Sequence, residues 1–200
     1  MSKALEHLKR DPVMARLIER VGPIRHRARH LNPYESLLHA VIHQQLSGKA
    51  ADTILGRFLA RVGNGGFPSP DAVLRASDAL LREVGLSRPK AAYIRGIAEK
   101  ALAGEIPSLE ECKALSDEDI IARLTTIKGI GRWTVEMLLI FNLGRPDVLP
   151  ADDLGVQRGF KLSHGQRIMP NAKQLAHYGM RWAPYRTLAT LYLWQAAGEE

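Results

Sequence analysis

Apolar residues recur every three or four positions along almost the whole chain. Over residues 32–63, NPYESLLHAVIHQQLSGKAADTILGRFLARVG, one stripe is Leu37, Leu38, Val41 and Ile42, and a second is Ile54, Leu55, Phe58 and Leu59. That spacing is the face of a helix. Asn32 before Pro33 marks the start of the first, and Ser47-Gly48 marks a break before the second. GGFPSP (65–70) is a turn. SPDAVLRASDALLREVGL (69–86) reads as one helix, with a start at Ser69-Pro70-Asp71 and a stop at Gly85. SRPKAAYIRGIAEKALAGE (87–105) is another, ending near Gly104. LSDEDIIARLTTI (115–127) opens with Ser116 three residues before Asp119, a capping-box start with an acidic first turn. Its apolar face is Ile120, Ile121, Leu124 and Ile127, and Val135, Leu138, Leu139 and Leu143 resume the helical spacing further on. GRPDVLPADD (144–153) is a loop, and residues 154–164 and 171–198 add more helix. No segment alternates long enough for a sheet, and no repeat of solenoid period is present. The pattern predicts an all-α protein.

TTIKGIGRWTVEM (125–137) interrupts this pattern. Gly129 and Gly131 lack Cβ atoms, so they reach backbone angles closed to other residues and let foreign atoms come close. A short turn there would join two helices, the second beginning at about Arg132. Amides of Gly129, Ile130 and Gly131 at a helix N-terminus form an anion site, flanked by Lys128 and Arg132. One backbone phosphate of a nucleic acid would fit it, read without regard to sequence. The simpler alternative is a helical hairpin whose glycines only permit the turn.

Composition narrows the choice. Two hundred residues fit one domain or two small lobes. The formal net charge of +7, from 28 basic and 21 acidic residues, attracts polyanions. One cysteine, Cys112, excludes an intrachain disulfide, a cysteine-rich zinc site and a four-cysteine iron–sulfur cluster. No apolar run approaches the ~18 residues of a membrane span. The start, MSKALEHLKRDPVMARL, lacks the apolar core of a signal peptide. The expectation is an intracellular protein, cytoplasmic and associated with the nucleoid, with no membrane contact.

LTTIKGIGRWTV (124–135) closely resembles the helix-hairpin-helix of the base-excision DNA glycosylases, the helix-hairpin-helix-GPD superfamily. In that family a loop rich in Gly, Pro and Asp follows and carries an essential aspartate; LGRPDVLPADDLGVQRG (143–159) stands in its place. The family spacing is an Asp, then Val or Ile three residues on, then Arg two further. Asp153, Val156 and Arg158 satisfy it, whereas Asp152 is followed at that distance by Gly155. HAVIHQQLSGKAA (39–51), GLSRPKAAYI (85–94) and RWAPYRTLATLYLW (181–194) resemble the alkylation-repair branch, the DNA-3-methyladenine glycosylases of the second type.

The resemblance implies a two-lobed helical fold with an active-site cleft between the lobes. One lobe would comprise about 1–38 with 150–200, the other about 39–149, with the hairpin over 117–141. It also implies double-stranded DNA carrying alkylated bases as partner; a monomer suits a protein that bends DNA around one extruded nucleotide. Bifunctional members use a lysine two residues after the second hairpin glycine. Trp133 stands there, and the guanidinium of Arg132 is no nucleophile. The expected enzyme is therefore monofunctional and uses water. It needs no cofactor for catalysis and has neither an iron–sulfur cluster nor zinc. A glycosylase/lyase and a non-catalytic DNA-binding module are the alternatives.

Asp153 would stabilise positive charge developing on the sugar and orient or deprotonate the water; its plain alternative is a helix N-cap. Trp133, then Trp182 and Tyr185, would wall the pocket of a cationic base, with His43 near it; packing is the alternative for each tryptophan. Trp194 is assigned to the core. Gln45 or Leu46 would fill the gap left by the extruded base, against internal packing for Leu46. Lys49, Arg88 and Lys90 are phosphate-contact candidates, against solvated surface. By resemblance alone, the carbonyls of Thr125, Ile127 and Ile130 would bind Na⁺ or K⁺.

Overall fold

The computed structural model describes residues 3–46 and 48–198, so Ser47 of the expected helix break lies outside the described residues. Every element among the described residues is helical, as the periodicity predicts. None of these helices is long and apolar enough to cross a membrane. The chain divides into two compact units, 30–138 and 1–29 with 139–200.

The unit of residues 30–138 contains α3 (Pro33–His43), α4 (Gly48–Val62), α5 (Pro70–Arg75), α6 (Asp78–Glu83), α7 (Arg88–Leu102), α8 (Leu109–Ala114), α9 (Asp117–Leu124) and α10 (Arg132–Met137). Side-chain caps start these helices where the sequence calls for them. Asn32 accepts from the Tyr34 amide, Ser87 from Lys90, and Ser116 exchanges bonds with Asp119 in a capping box. Leu37, Leu38, Val41 and Ile42 are fully buried, where α3 packs on α4 and α7. Each such side chain contributes about 1.5–3 kcal/mol. Residues 69–86 form two short helices rather than one. Ser77 caps α6 by accepting from the Leu80 amide. Arg95 donates to the carbonyls of Leu74 (3.0 Å) and Ala76 (2.6 Å), satisfying the end of α5. A guanidinium from α7 thus supports a break that the Ser77 cap also marks.

The other unit contains α1 (Lys3–Leu8), α2 (Pro12–Val21), α11 (Leu154–Ser163), α12 (Ala172–Gly179), a 3₁₀ turn (Met180–Trp182) and α13 (Arg186–Gly198). The continuation of α10 is a π-helix over Leu138–Asn142 rather than plain α-helix. The units part after Arg29 and Leu138, not near 38 and 149, because α3 packs into the first unit. In the second, Arg29 donates its amide to the Phe141 carbonyl (2.9 Å) and His26 Nε2 bonds the Ile140 carbonyl (2.9 Å).

In this unit α11 packs closely on α13. A Cβ on Gly159 would lie 1.9 Å from the Leu193 carbonyl oxygen, so only glycine permits the approach. The loop before α11 is stitched to the start of α13. Asp147 accepts from the amide (3.1 Å) and Nε (2.8 Å) of Arg186, and the Val148 amide donates to Thr187 Oγ1 (2.9 Å). Trp182 is fully buried, and its Nε1–H donates to the buried carboxylate of Asp11 at 2.9 Å. Burial alone would raise the Asp11 carboxyl. The donors Trp182, Val13 and Met14 outweigh it and hold the group below the usual range.

Candidate functional site

The hairpin closes through two backbone bonds: Ile127 N–H to the Leu124 carbonyl (3.1 Å), and Ile130 N–H to the Ile127 carbonyl (3.0 Å). Ile127 and Ile130 are buried and anchor the turn, while Lys128 is exposed. The two glycines play different parts. Gly129 has φ +89°, and a Cβ there would meet the Tyr93 ring at 2.4 Å, so both conformation and packing exclude a side chain. Gly131 has φ −94° and ψ 169°, angles open to any residue. A Cβ on it would meet nothing within 4 Å, which leaves space for another molecule. Gly131 is the N-cap of α10 with no side-chain cap bond, so the first turn presents amides that its own cap does not satisfy.

Arg132 is engaged by two carboxylates of its own unit. Its Nη1 donates to Glu118 Oε2 at 3.0 Å, its Nη2 also bonds that carboxylate, and its Nε donates to Glu136 Oε1 at 3.1 Å. The Glu118 bond, with the charges of both glutamates, raises the guanidinium further above its ordinary value. The residue ties α9 to α10. Lys90 is likewise engaged within the protein. Its Nζ donates to the carbonyls of Ile42 (2.7 Å) and Gln44 (2.8 Å), closing the C-terminal end of α3. Burial pulls its ammonium below the usual lysine range. Lys49 and Arg88 remain exposed.

Gln45 is exposed with φ +55°, and Leu46 is 40% exposed, so Leu46 does not pack internally. His43 ends α3. Its Nδ1 bonds the His39 carbonyl (2.9 Å), its Nε2 bonds Asp52 Oδ1 (3.0 Å), and its ring stacks on His39 at 4.0 Å.

In the other unit Asp153 is the N-cap of α11. Its Oδ1 accepts from the Val156 amide at 2.8 Å and from Trp194 Nε1 at 2.9 Å. The cap reading and the catalytic reading are therefore compatible, because the cap bond orients the carboxylate. Val156 is fully buried, and Arg158 is exposed. Gly155 fits between the acid and the indole: a Cβ there would lie 3.0 Å from both Asp153 Oδ1 and Trp194 Cδ1.

The tryptophans sort unlike the sequence reading. Trp133 is 46% exposed, unlike the buried Trp182. Trp182 lies in the core on Asp11 and is no pocket wall. Tyr185 is half-buried, edge-on to His7 at 5.5 Å. Trp194, assigned to the core, is half-buried and holds Asp153; the ring of Phe141 stacks on it at 5.7 Å. Two signals were available. An indole N–H requires an acceptor when buried. Gly155 and Gly159, four apart, mark a helix face made for close approach.

Known proteins resemble this chain over most of its length. Residues 38–184 match the family described as HhH-GPD superfamily base excision DNA repair protein. The chain is 42% identical over 200 residues to DNA-3-methyladenine glycosylase 1 of Schizosaccharomyces pombe, covering 98% of this chain and 88% of that protein. A solved 3-methyladenine DNA glycosylase of Schizosaccharomyces pombe in complex with abasic DNA superposes with a TM-score of 0.89 at 43% identity, over 97% of this chain and 96% of that one. A DNA-3-methyladenine glycosidase from Bacillus halodurans superposes at 0.88 with 40% identity, over 99% and 90%. With the hairpin, the Asp153 cap and the match over most of its length, the chain belongs to the HhH-GPD superfamily of base excision DNA repair proteins.

Proposed function

We propose that the protein is a monofunctional DNA glycosylase of base excision repair. It extrudes an alkylated base from duplex DNA and hydrolyses its N-glycosidic bond. The observation that carries this reading is the Asp153 carboxylate, held through Oδ1 by the Val156 amide and the Trp194 indole. A fixed carboxylate costs no reorganisation when positive charge develops on the sugar. The C1′–N bond breaks, its electron pair leaves with the base, and water adds at C1′ and loses a proton. Asp153 stabilises the oxocarbenium-like state and receives or directs that proton.

3-Methyladenine and 7-methylguanine carry a formal positive charge in DNA and leave as neutral bases, so no strong general acid is required. The work is then to extrude and hold the nucleotide. The half-exposed Trp133 offers a cationic base an electron-rich face, worth ~0.5–2 kcal/mol. Gln45 or Leu46, both exposed, would occupy the vacated stack. The amides of Gly129 and Gly131 with Lys128 would grip the strand, joined by Lys49 and Arg88, while the Ile130 amide stays bonded to the Ile127 carbonyl and holds the turn. The carbonyls of Thr125, Ile127 and Ile130, at the end of α9 and its turn, are hard oxygen donors suited to Na⁺ or K⁺; a bound ion would add positive charge beside the phosphate. The protein works as a monomer on DNA inside the cell.

Release of 3-methyladenine from methylated duplex DNA tests the reading. The wild-type protein is expected to release it, and Asp153→Asn to be slower by about 100-fold or more. Equal rates would remove Asp153 from the mechanism, and release by neither would favour a non-catalytic binding module. A covalent adduct trapped by borohydride would refute the monofunctional assignment.

A further inference from the structure

The loop after α3 is tied to the hairpin by one side chain. Gln44 sits at the C-cap of α3, its own amide bonded to the Ala40 carbonyl. Its Nε2 donates to the Gly129 carbonyl at 3.1 Å and approaches Thr134 Oγ1 at 3.5 Å. Both ends of the Gly129–Ile130 peptide are thereby committed: the carbonyl to Gln44, the N–H to Ile127. The loop is also held by Lys90, which donates to the carbonyls of Ile42 and Gln44. Lys90 lies on α7 within a turn of Tyr93, the ring on which Gly129 rests. Loop, hairpin and α7 thus share one network.

The next residue, Gln45, has φ +55°. A non-glycine residue keeps that left-handed conformation only where its surroundings over-determine it. The bonds of Gln44 and Lys90 fix the segment that leads into it. We infer that Gln44 is a positioning residue, which couples the hairpin's grip on a phosphate to the presentation of Gln45 and Leu46 to the base stack. This rests on the glycosylase reading above. A strand seated on the hairpin loads the Gly129–Ile130 peptide, and Gln44 holds the exposed loop in register with it. Without that bond the hairpin still binds DNA, while the loop no longer enters the duplex in step.

Two variants test it, on duplexes carrying 2-aminopurine beside a methylated base. Fluorescence reads opening of the stack, and base release is followed in the same samples under single turnover. In Gln44→Leu, melting temperature and affinity for undamaged duplex should stay near wild type. The fluorescence rise and the release rate should each fall about five- to tenfold, the worth of one hydrogen bond. In Gln44→Glu an ionised carboxylate faces the Gly129 carbonyl. Protonation restores a donor there, so opening relative to wild type should recover as pH falls from about 8 to about 5. A purely structural contact would show no such recovery.

Wild-type opening by Gln44→Leu, or a flat ratio across pH for Gln44→Glu, overturns the inference. Should Gln44→Leu lose its fold, the pH series of Gln44→Glu decides alone. A wild-type protein that opens the duplex without releasing a base would remove the glycosylase reading and leave the coupling intact. One that does neither would remove both.

Discussion

The indole of Trp194 donates to the same carboxylate oxygen of Asp153 that caps α11, at 2.9 Å. Asp153 Oδ1 therefore receives two N–H groups that approach from α11 and α13. Behind the indole, Phe141 stacks with its plane 17° from parallel, and His26 meets Phe141 edge-on at 5.6 Å. The acid is held by a helix start on one side and an aromatic stack on the other. Gly155 allows the indole to come this close, and Gly159 allows α13 to do so.

Trp194→Phe keeps a six-membered ring against Phe141 and deletes the N–H together with the five-membered ring that carries it. One charge-assisted hydrogen bond is worth about 1.5–3 kcal/mol. Single-turnover base release should therefore fall by about ten- to a hundredfold, with affinity for undamaged duplex unchanged. Release at the wild-type rate would show that the Val156 cap alone positions Asp153.

The two hairpin glycines should separate folding from binding. Gly129→Ala meets both the positive φ and the Tyr93 ring, and should lower stability by roughly 1–3 kcal/mol in chemical denaturation. Gly131→Ala meets neither and should stay within about 0.5 kcal/mol of wild type. Its new methyl group would nevertheless stand before the amides of α10, so affinity for duplex DNA should drop. Unchanged DNA affinity in Gly131→Ala would mean that the strand does not approach this turn.

Asp147 should give the fold a defined acid dependence. Burial alone would raise its carboxyl, but the side-chain and amide bonds of Arg186, with its charge, outweigh this and hold it below the ordinary range. The folded-state value is depressed. Its contribution is therefore complete above the unfolded value of ~3.9 and is lost as pH falls through the lower folded value. Asp147→Asn should lose about 1–3 kcal/mol at pH 7 and match wild type more closely near pH 2. Urea midpoints at pH 7, 4 and 2 would check this; a constant gap between the two proteins would exclude the linkage.

The helical class and most helix starts were legible in the chain because they depend on neighbours a few residues apart, and the loop spacing was legible through the family resemblance. Asn32, Ser87 and Ser116 cap the helices their positions announce, and Asp153 caps α11 with Val156 at the spacing the family motif gives. Gly129 needed its freedom, as a turn glycine should; Gly131 did not. What the local pattern could not decide were partners distant in sequence. Lys90 and Arg132 looked like cations awaiting phosphate, yet they end on backbone carbonyls and on Glu118 with Glu136. Trp182 and Trp194 carry the same indole; one went to Asp11 in the core and the other to Asp153 at the site. The reason is physical: periodicity fixes which face of a helix is buried, but a hydrogen-bonding side chain takes whichever partner the packing of α11, α13 and α7 brings within about 3 Å.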